Sequence, residues 1–436
     1  MTYASRIKEK KLKGGGKALF AAFPAHGEIS ITGSLAGGAH LAQGFLCEGI
    51  EHCTLSGDVL ADMHAAMLLE GVKKRDKSAI QILLDSIGAS LSFSADKDRL
   101  VFQCHVRAVY ADKLLSLVSE CLREATFPQE EVEHLKARML AELSLEAQNP
   151  HAQASINLSR MLFAARHPNR HEDTAQSKIA VEKMTRKELQ SYHAIAIDSR
   201  SFIISIAGDI EKDHTFALVE KHFSKLPRRE SPMVPYAFAE PCASQKMIVP
   251  IPDKASIDYM LGLATGITHD HPDYPALVLG LQILGNRGFT GRLMRTVREE
   301  EGLTYGVYAY PGGFSSGADG YAAVSATFAP ALFERGRAAV LREVKKLVEE
   351  GPGAIEVKRH RELYEARSRV LCANSADLSR AAHDITVEGK RPSYLDEFPR
   401  RILKLTKAQV HKALKKYLIM ENLSESIAGP ITEINS

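Results

Sequence analysis

Cysteine is scarce in this chain and falls in no pattern. Six occur in 436 residues, Cys47, Cys53, Cys104, Cys121, Cys242 and Cys372. They form neither a disulfide framework nor the spacing of a zinc finger or ribbon, even where Cys47, His52 and Cys53 lie close together, so reduced thiols in a cytoplasmic compartment are expected. No apolar run is long enough to cross a bilayer. Charge of one sign is also in short supply. Lys and Arg number 56 against 53 Asp and Glu, a formal net of +3, which gives no reason to expect nucleic acid or an anionic membrane as partner. Gly14 to Gly16 precede a strand rather than a helix and make no phosphate loop; there is no G-x-S-x-G elbow and no cysteine recognisably paired with a histidine. Neither H-x-x-E-H nor H-E-x-x-H occurs among the seventeen histidines. His269 and His271 form H-x-H, but with Pro272 and Asp273 they read as the turn that starts a helix. The basic N-terminal stretch MTYASRIKEKKLKGGGK lacks an apolar signal core, and Glu9 with three glycines disfavours a transit helix, so it reads as a short tail before the first strand.

What the chain does contain is a copy of itself. MTRKELQSYHAIAIDSRSFIISIAGDI (184–210) and LTKAQVHKALKKYLIMENLSESIAGPI (405–431) align without a gap at an offset of 221. Each reads as a capping threonine (Thr185, Thr406), an amphipathic helix and a strand ending in Ile-Ala-Gly. Upstream, helix pairs around Phe127-Pro128 and around Gly351-Pro352-Gly353 take similar places in the two halves. The chain therefore divides as residues 1–225, a proline-stiffened linker 226–244 and residues 245–436, two homologous units of about 220 residues. Strands are expected in adjacent groups (89–106, 246–263 and 303–327) and helices likewise (110–127, 128–147 and 157–165). That grouping predicts an α+β class, two α/β sandwich units with a largely antiparallel sheet and helices on one face.

The most informative stretch is GRLMRTVREEEGLTYGVYAY (291–310). It reads as a helix with Leu293, Met294 and Val297 on one side, stopped at Gly302 by a left-handed cap. A strand follows with Leu303, Tyr305, Val307 and Ala309 on one face and Thr304, Gly306, Tyr308 and Tyr310 on the other. Arg298 and Tyr305 are thus placed to converge on a carbonyl or developing oxyanion. Spacing alone equally allows a solvated ion pair and a rim tyrosine.

This segment resembles the C-terminal domain of the insulinase or pitrilysin type of zinc peptidase, which includes the mitochondrial processing peptidases. The family form "RL…REE.GL.Y.V" matches at Arg292, Leu293, Arg298, Glu299, Gly302, Leu303, Tyr305 and Val307, and HDHPDYPALVLGLQILGNR (269–287) looks like the helix preceding it. The resemblance implies that Arg298 and Tyr305 line a substrate-facing wall. Active members carry H-x-x-E-H on a helix of the first domain, with a glutamate about 75 residues later; histidines at i and i+4 share a helical face and bind zinc while the intervening glutamate is the base. Here ADMHAAMLLEGVKKR (61–75) matches the family's "AHFLEHLLFKGTKKR" in register through Gly71, Lys73, Lys74 and Arg75. Asp62 and Ala66 then replace the histidines, Ala65 replaces the base, and Glu142 falls where the third ligand is expected. His64, two residues from Asp62, points about 200° away.

No metal or other cofactor is therefore expected in this chain. The resemblance implies a non-catalytic, substrate-binding subunit of a heterodimeric zinc metallopeptidase, with zinc in a homologous partner subunit and peptide substrates adding to a sheet edge, Ser90 to Ser94 being the candidate. The alternative is an inactive peptidase-like scaffold or peptide-binding protein. Neither nucleic acid nor membrane is an expected partner.

Overall fold

The computed structural model describes residues 2–46, 56–229, 236, 238–239, 243–285 and 290–431. The Cys47, His52 and Cys53 cluster, most of the linker 226–244 and Arg287 lie outside the described residues. Two compact units are present.

The first unit holds a six-stranded sheet in the order β1-β2-β8-β3-β7-β6, formed by β1 (Ile7–Lys11), β2 (Lys17–Ala22), β3 (Glu28–Leu35), β6 (Ser90–Ala95), β7 (Leu100–Arg107) and β8 (Ile203–Gly208). A two-residue hairpin, β4 (Gly71–Val72) and β5 (Arg75–Asp76), stands apart. The second unit holds β9 (Lys246–Pro250), β10 (Ile257–Ala264), β11 (Thr304–Gly312), β12 (Tyr321–Phe328) and β13 (Ser424–Gly429) in the order β11-β12-β10-β13-β9. The two sheets repeat one topology. β8 and β13 pair parallel with β2 and β9 and antiparallel with the strand that follows each, β3 or β10; β1 is an additional strand on the outside of β2.

The repeated Ile-Ala-Gly has a physical cause. Gly208 and Gly429 have φ of +148° and +147°, and a Cβ there would lie 2.3 Å from Glu28 O and 2.8 Å from Ser256 O. Only glycine meets both demands. The helix before each of these strands opens with a complete capping box, Thr185 with Glu188 and Thr406 with Gln409. The paired turns match too, since Phe127 and Gly351, both followed by proline, have φ of +50° and +76°.

Each sheet turns one face to an apolar core. In the first, Ile29, Ile31 and Leu35 pair with Val106, Cys104 and Leu100. In the second, Tyr259, Leu261, Val307, Ala309, Val324 and Ala326 share a core with helices Tyr274–Gly285, Phe333–Glu350 and Lys407–Tyr417. The other face is smaller and more polar, and one helix covers it. Helix Ser375–Val387 lies on the first sheet, where Ser30 meets Ser375 at 2.9 Å, Ser34 meets His383 at 2.7 Å, and Leu378 and Ala382 pack on Leu19 and Ala207. Helix Pro150–Leu162 lies on the second, with Ala154, Leu158 and Met161 against Met260, Ala323 and Ala428. It starts before the expected 157 because Asn149 caps the Ala152 N–H at 3.2 Å and Pro150 fills the first turn. The units are consequently not runs of consecutive residues: 142–174 belongs to the second and 368–397 to the first.

Candidate functional site

Arg298 stands on a seven-residue π-helix, Met294–Glu300. Leu293, Met294 and Val297 are buried in the second core, as their spacing predicts. The widened turn ends at Gly302, whose φ of +63° makes the left-handed cap, and nested bonds from Gly302 N–H to Arg298 O (3.1 Å) and Leu303 N–H to Val297 O (2.9 Å) close it. Arg292 fixes the start of the segment. Its guanidinium donates to both oxygens of Glu356, each at 2.7 Å, and to Gly351 O at 3.1 Å, while Glu356 accepts from the Gly353 N–H. This fork holds the Glu356 carboxyl below its ordinary range against the opposing effect of burial. At the far end Arg342 pairs with Glu301. Arg298 itself is half-buried.

Tyr305 departs from the simple alternation that would put it on the face of Val307 and Ala309. β11 pairs with β12 in regular register from Gly306↔Thr327 onward, but Thr304, not Tyr305, stands opposite Phe328. Tyr305 is the extra residue of a β-bulge, and its side chain is 94% exposed while Thr304 and Val307 are buried. β11 is also an edge strand. Arg298 and Tyr305 are therefore held by one short, braced segment, and what was missed in the sequence is the bulge.

The motif helix spans Gly57–Met67, capped by Ser56. Asp62 is exposed, Ala65 buried and Ala66 intermediate. Although Asp62 is exposed, the protein packed around it partly desolvates its carboxyl and, with the charge of Asp58 one turn away, pushes it up to about 6; the Asp58 carboxyl is also raised by burial, against the pull of Lys97. His64 turns into the core. It is fully buried, its Nε2 lies 2.9 Å from Nδ1 of His193, and its ring packs on Phe127 and Tyr192. Burial drives His64 well below its ordinary value, and burial with the Arg229 charge lowers His193 to about 4. Both rings are neutral at pH 7. Glu142 is exposed on helix Gln129–Glu146.

Zinc does not fit this helix. One carboxylate and two methyl groups stand where two imidazoles and a base are needed, and the nearest imidazole is committed to His193 inside the core. Among the described residues no group of three or more His, Cys, Asp or Glu is placed to hold a metal ion. No described helix is long and apolar enough to cross a membrane. The other expected feature, the edge at Ser90–Ser94, is in place. β6 is the outermost strand of its sheet, hydrogen-bonded on one side to β7.

Two family models match the chain. "Insulinase (Peptidase family M16)" matches residues 60–174 and "Peptidase M16 inactive domain" matches residues 183–364. Among curated proteins the chain is 24% identical over 249 residues to the non-peptidase homolog YmxG of Helicobacter pylori, a match covering 57% of this chain and 56% of that protein. It is 19% identical over 237 residues to the mitochondrial-processing peptidase subunit beta of Bos taurus, covering 52% and 46%. These matches thus span about half the length of each relative. Among solved structures, the peptidase M16 inactive domain from Pseudomonas fluorescens superposes with a TM-score of 0.86 at 26% identity, covering 99% of this chain and all of that one. A protease from Helicobacter pylori superposes at 0.84 with 15% identity, covering 97% and 99%. The α+β architecture, the repeated topology and the two consecutive matches agree: the chain belongs to the insulinase (M16) peptidase family, as a member without the zinc-binding histidines and the general base.

Proposed function

We propose that this chain is the non-catalytic, substrate-binding subunit of a two-chain zinc peptidase, made of the homologous halves 1–225 and 245–436 and working in a cytoplasmic, reducing compartment. A homologous zinc-bearing partner would supply the metal and the base. Arg298 and Tyr305 would hydrogen-bond the scissile carbonyl and its tetrahedral intermediate, and peptide would add along the β6 edge. The observation that carries this reading is a contrast. The motif helix has no hydrolytic side chain left, whereas Arg298 and Tyr305 stand on a braced π-turn and a bulge that present them. A protein kept only as a scaffold has no need of either device.

Edge chemistry favours β6 as the peptide strand. β1 (IKEKK) is guarded by lysines, β9 ends in Pro250, and β11 carries a bulge and Pro311, whereas β6 (SLSFSA) has no charge, proline or bulge. The alternative is an inactive peptide-holding scaffold, favoured by the likeness to a non-peptidase homolog. Peptide hydrolysis and zinc content, measured for this chain, for a zinc-bearing relative from the same source and for their mixture, separate the two. The expected outcome is cleavage only by the mixture, zinc only in the relative, and a drop of about 100-fold with Arg298→Ala, the cost of one oxyanion donor. Indifference to Arg298, or an inert mixture, favours the scaffold.

A further inference from the structure

In an unbroken ladder, the register that pairs Ala309 with Val324 and Val307 with Ala326 would bring Tyr305 opposite Phe328. Phe328 is 1% exposed and packs with Tyr259 and Phe333, and its ring leaves so little space that a Cβ on Gly336 would lie 2.1 Å from it. A tyrosine cannot enter there. The bulge solves this by placing Thr304 opposite Phe328 and leaving Tyr305 outside.

A bulge interrupts the hydrogen-bond ladder, and something must satisfy the displaced groups. Here the side chain of Thr304 does so. Its Oγ1 accepts from the Gly306 N–H at 3.1 Å, immediately beyond the extra residue, and the hydroxyl has two carbonyls to donate to, that of Thr327 on the neighbouring strand at 2.5 Å and that of Gly306 at 3.1 Å. One hydroxyl thus bridges the two sides of the bulge and pins it to β12. Tyr305 sits between the two bonded residues, with its own side chain almost wholly in water.

We propose that Thr304 is a positioning residue: its hydroxyl clamps the bulge and thereby fixes the direction in which Tyr305 presents its phenol. This rests on the reading of Tyr305 as a substrate-contacting group. It adds that a neighbour with no substrate contact sets that group's placement, through a hydroxyl that valine lacks and serine keeps.

The chain contains no tryptophan, so Tyr305→Trp creates a single indole at the position in question, which can be excited at wavelengths where tyrosine does not absorb. In that background Thr304→Val, which preserves volume and removes the hydroxyl, is expected to lower the fluorescence anisotropy of the introduced indole in the isolated chain, and Thr304→Ser to restore it. Amide exchange at Gly306 should quicken in the valine variant alone. With Tyr305 intact, in the mixture with the zinc-bearing relative, Thr304→Val is expected to cut kcat by up to about 100-fold, the effect of a misplaced catalytic group. KM should change little, and serine should recover most of the loss. In a Tyr305→Ala chain the same change should cost nothing further. Unchanged anisotropy and exchange in Thr304→Val overturn the proposal, as does full turnover despite a loosened side chain at position 305. An inert mixture instead removes the split-peptidase reading, and the anisotropy and exchange still decide whether Thr304 holds its neighbour.

Discussion

A histidine at 64 and a tyrosine at 305 show how far a single residue's surroundings decide what it can do. His64 lies within three residues of every substituted motif position, yet it is a core side chain, stacked on Phe127 and bonded to His193. Its helical angle alone showed only that it points away from the motif face. What spacing left hidden was the buried neutral pair, because His193 is 129 residues away. The pair has a thermodynamic signature. In the unfolded chain both imidazoles titrate near 6.5, whereas in the fold His193 takes its proton only at about 4 and His64 is also driven low. Below about 6.5 the unfolded state binds more protons, so this contribution is complete above that pH and is lost as pH falls toward about 4. At about 1.4 kcal/mol per unit of displacement, the loss should be on the order of a few kcal/mol. Asp62 and Asp98, both raised to about 6, act with the opposite sign, since the fold loses stability as they ionise on raising the pH. They are common to wild type and His64→Phe, so the difference between those two isolates the histidine. Urea midpoints at pH 7.5 and 4.5 should fall less in His64→Phe than in wild type; equal falls would remove the histidine pair from the account.

At the scale of the element, residues that announce themselves through their own backbone demands were legible and those set by a partner strand were not. Gly302 as a left-handed cap, the capping boxes at Thr185 and Thr406, and Leu293, Met294 and Val297 as one buried side all follow from local chemistry. Tyr305 does not. Its orientation depends on Phe328 filling the opposite core position, and no period of two within β11 reveals that. The edge strand β6 is the other case, an element proposed to carry function by what it lacks. Backbone groups on its free side are what an extended peptide would bond, and side chains add selectivity only at alternate positions. Proline substituted in turn at Ser92 and Phe93 tests this, because consecutive amides point to opposite sides. At the inward amide, proline should lower the melting temperature by breaking a bond to β7. At the outward amide it should leave the melting temperature near wild type and weaken peptide capture by about 10-fold or more, the loss of a backbone bond and the clash of the ring. Peptide affinity by fluorescence polarisation, unchanged by either proline, would move the peptide to another edge.

For the whole molecule, the repeat at an offset of 221 predicted two copies of one topology, and the five strands of the second sheet repeat the order of β2-β8-β3-β7-β6 in the first, where β1 is added at the edge. Less legible was the exchange of segments between the compact units. Helix Ser375–Val387 covers the first sheet and helix Pro150–Leu162 the second, although each lies in the other half of the sequence. The covered faces explain why pattern reading passed over this. Ser30, Ser34, Ser205, Ser325 and Ser426 interrupt them, so β3 reads as a strand with one apolar side, whereas nearly all of its side chains are buried. A polar face buried by a visiting helix takes part of its hydrogen bonding from that helix: Ser34 meets His383 as well as Arg99 beside β7, and Ser30 meets Ser375 as well as His105 on β7. Neither sequence half should therefore be stable alone. Residues 1–225 lack the cover of Leu378, Ala382 and His383, and residues 245–436 lack Ala154, Leu158 and Met161. Expressed separately, each should show a broad, low unfolding transition and bind an apolar dye; expressed together, they should assemble into a complex with one cooperative transition. Circular dichroism melts and size-exclusion chromatography of the separate and co-expressed halves check this. If residues 1–225 melt cooperatively on their own at the temperature of the intact chain, the visiting helix Ser375–Val387 contributes little, and the sheet's polar face is stable in water without it.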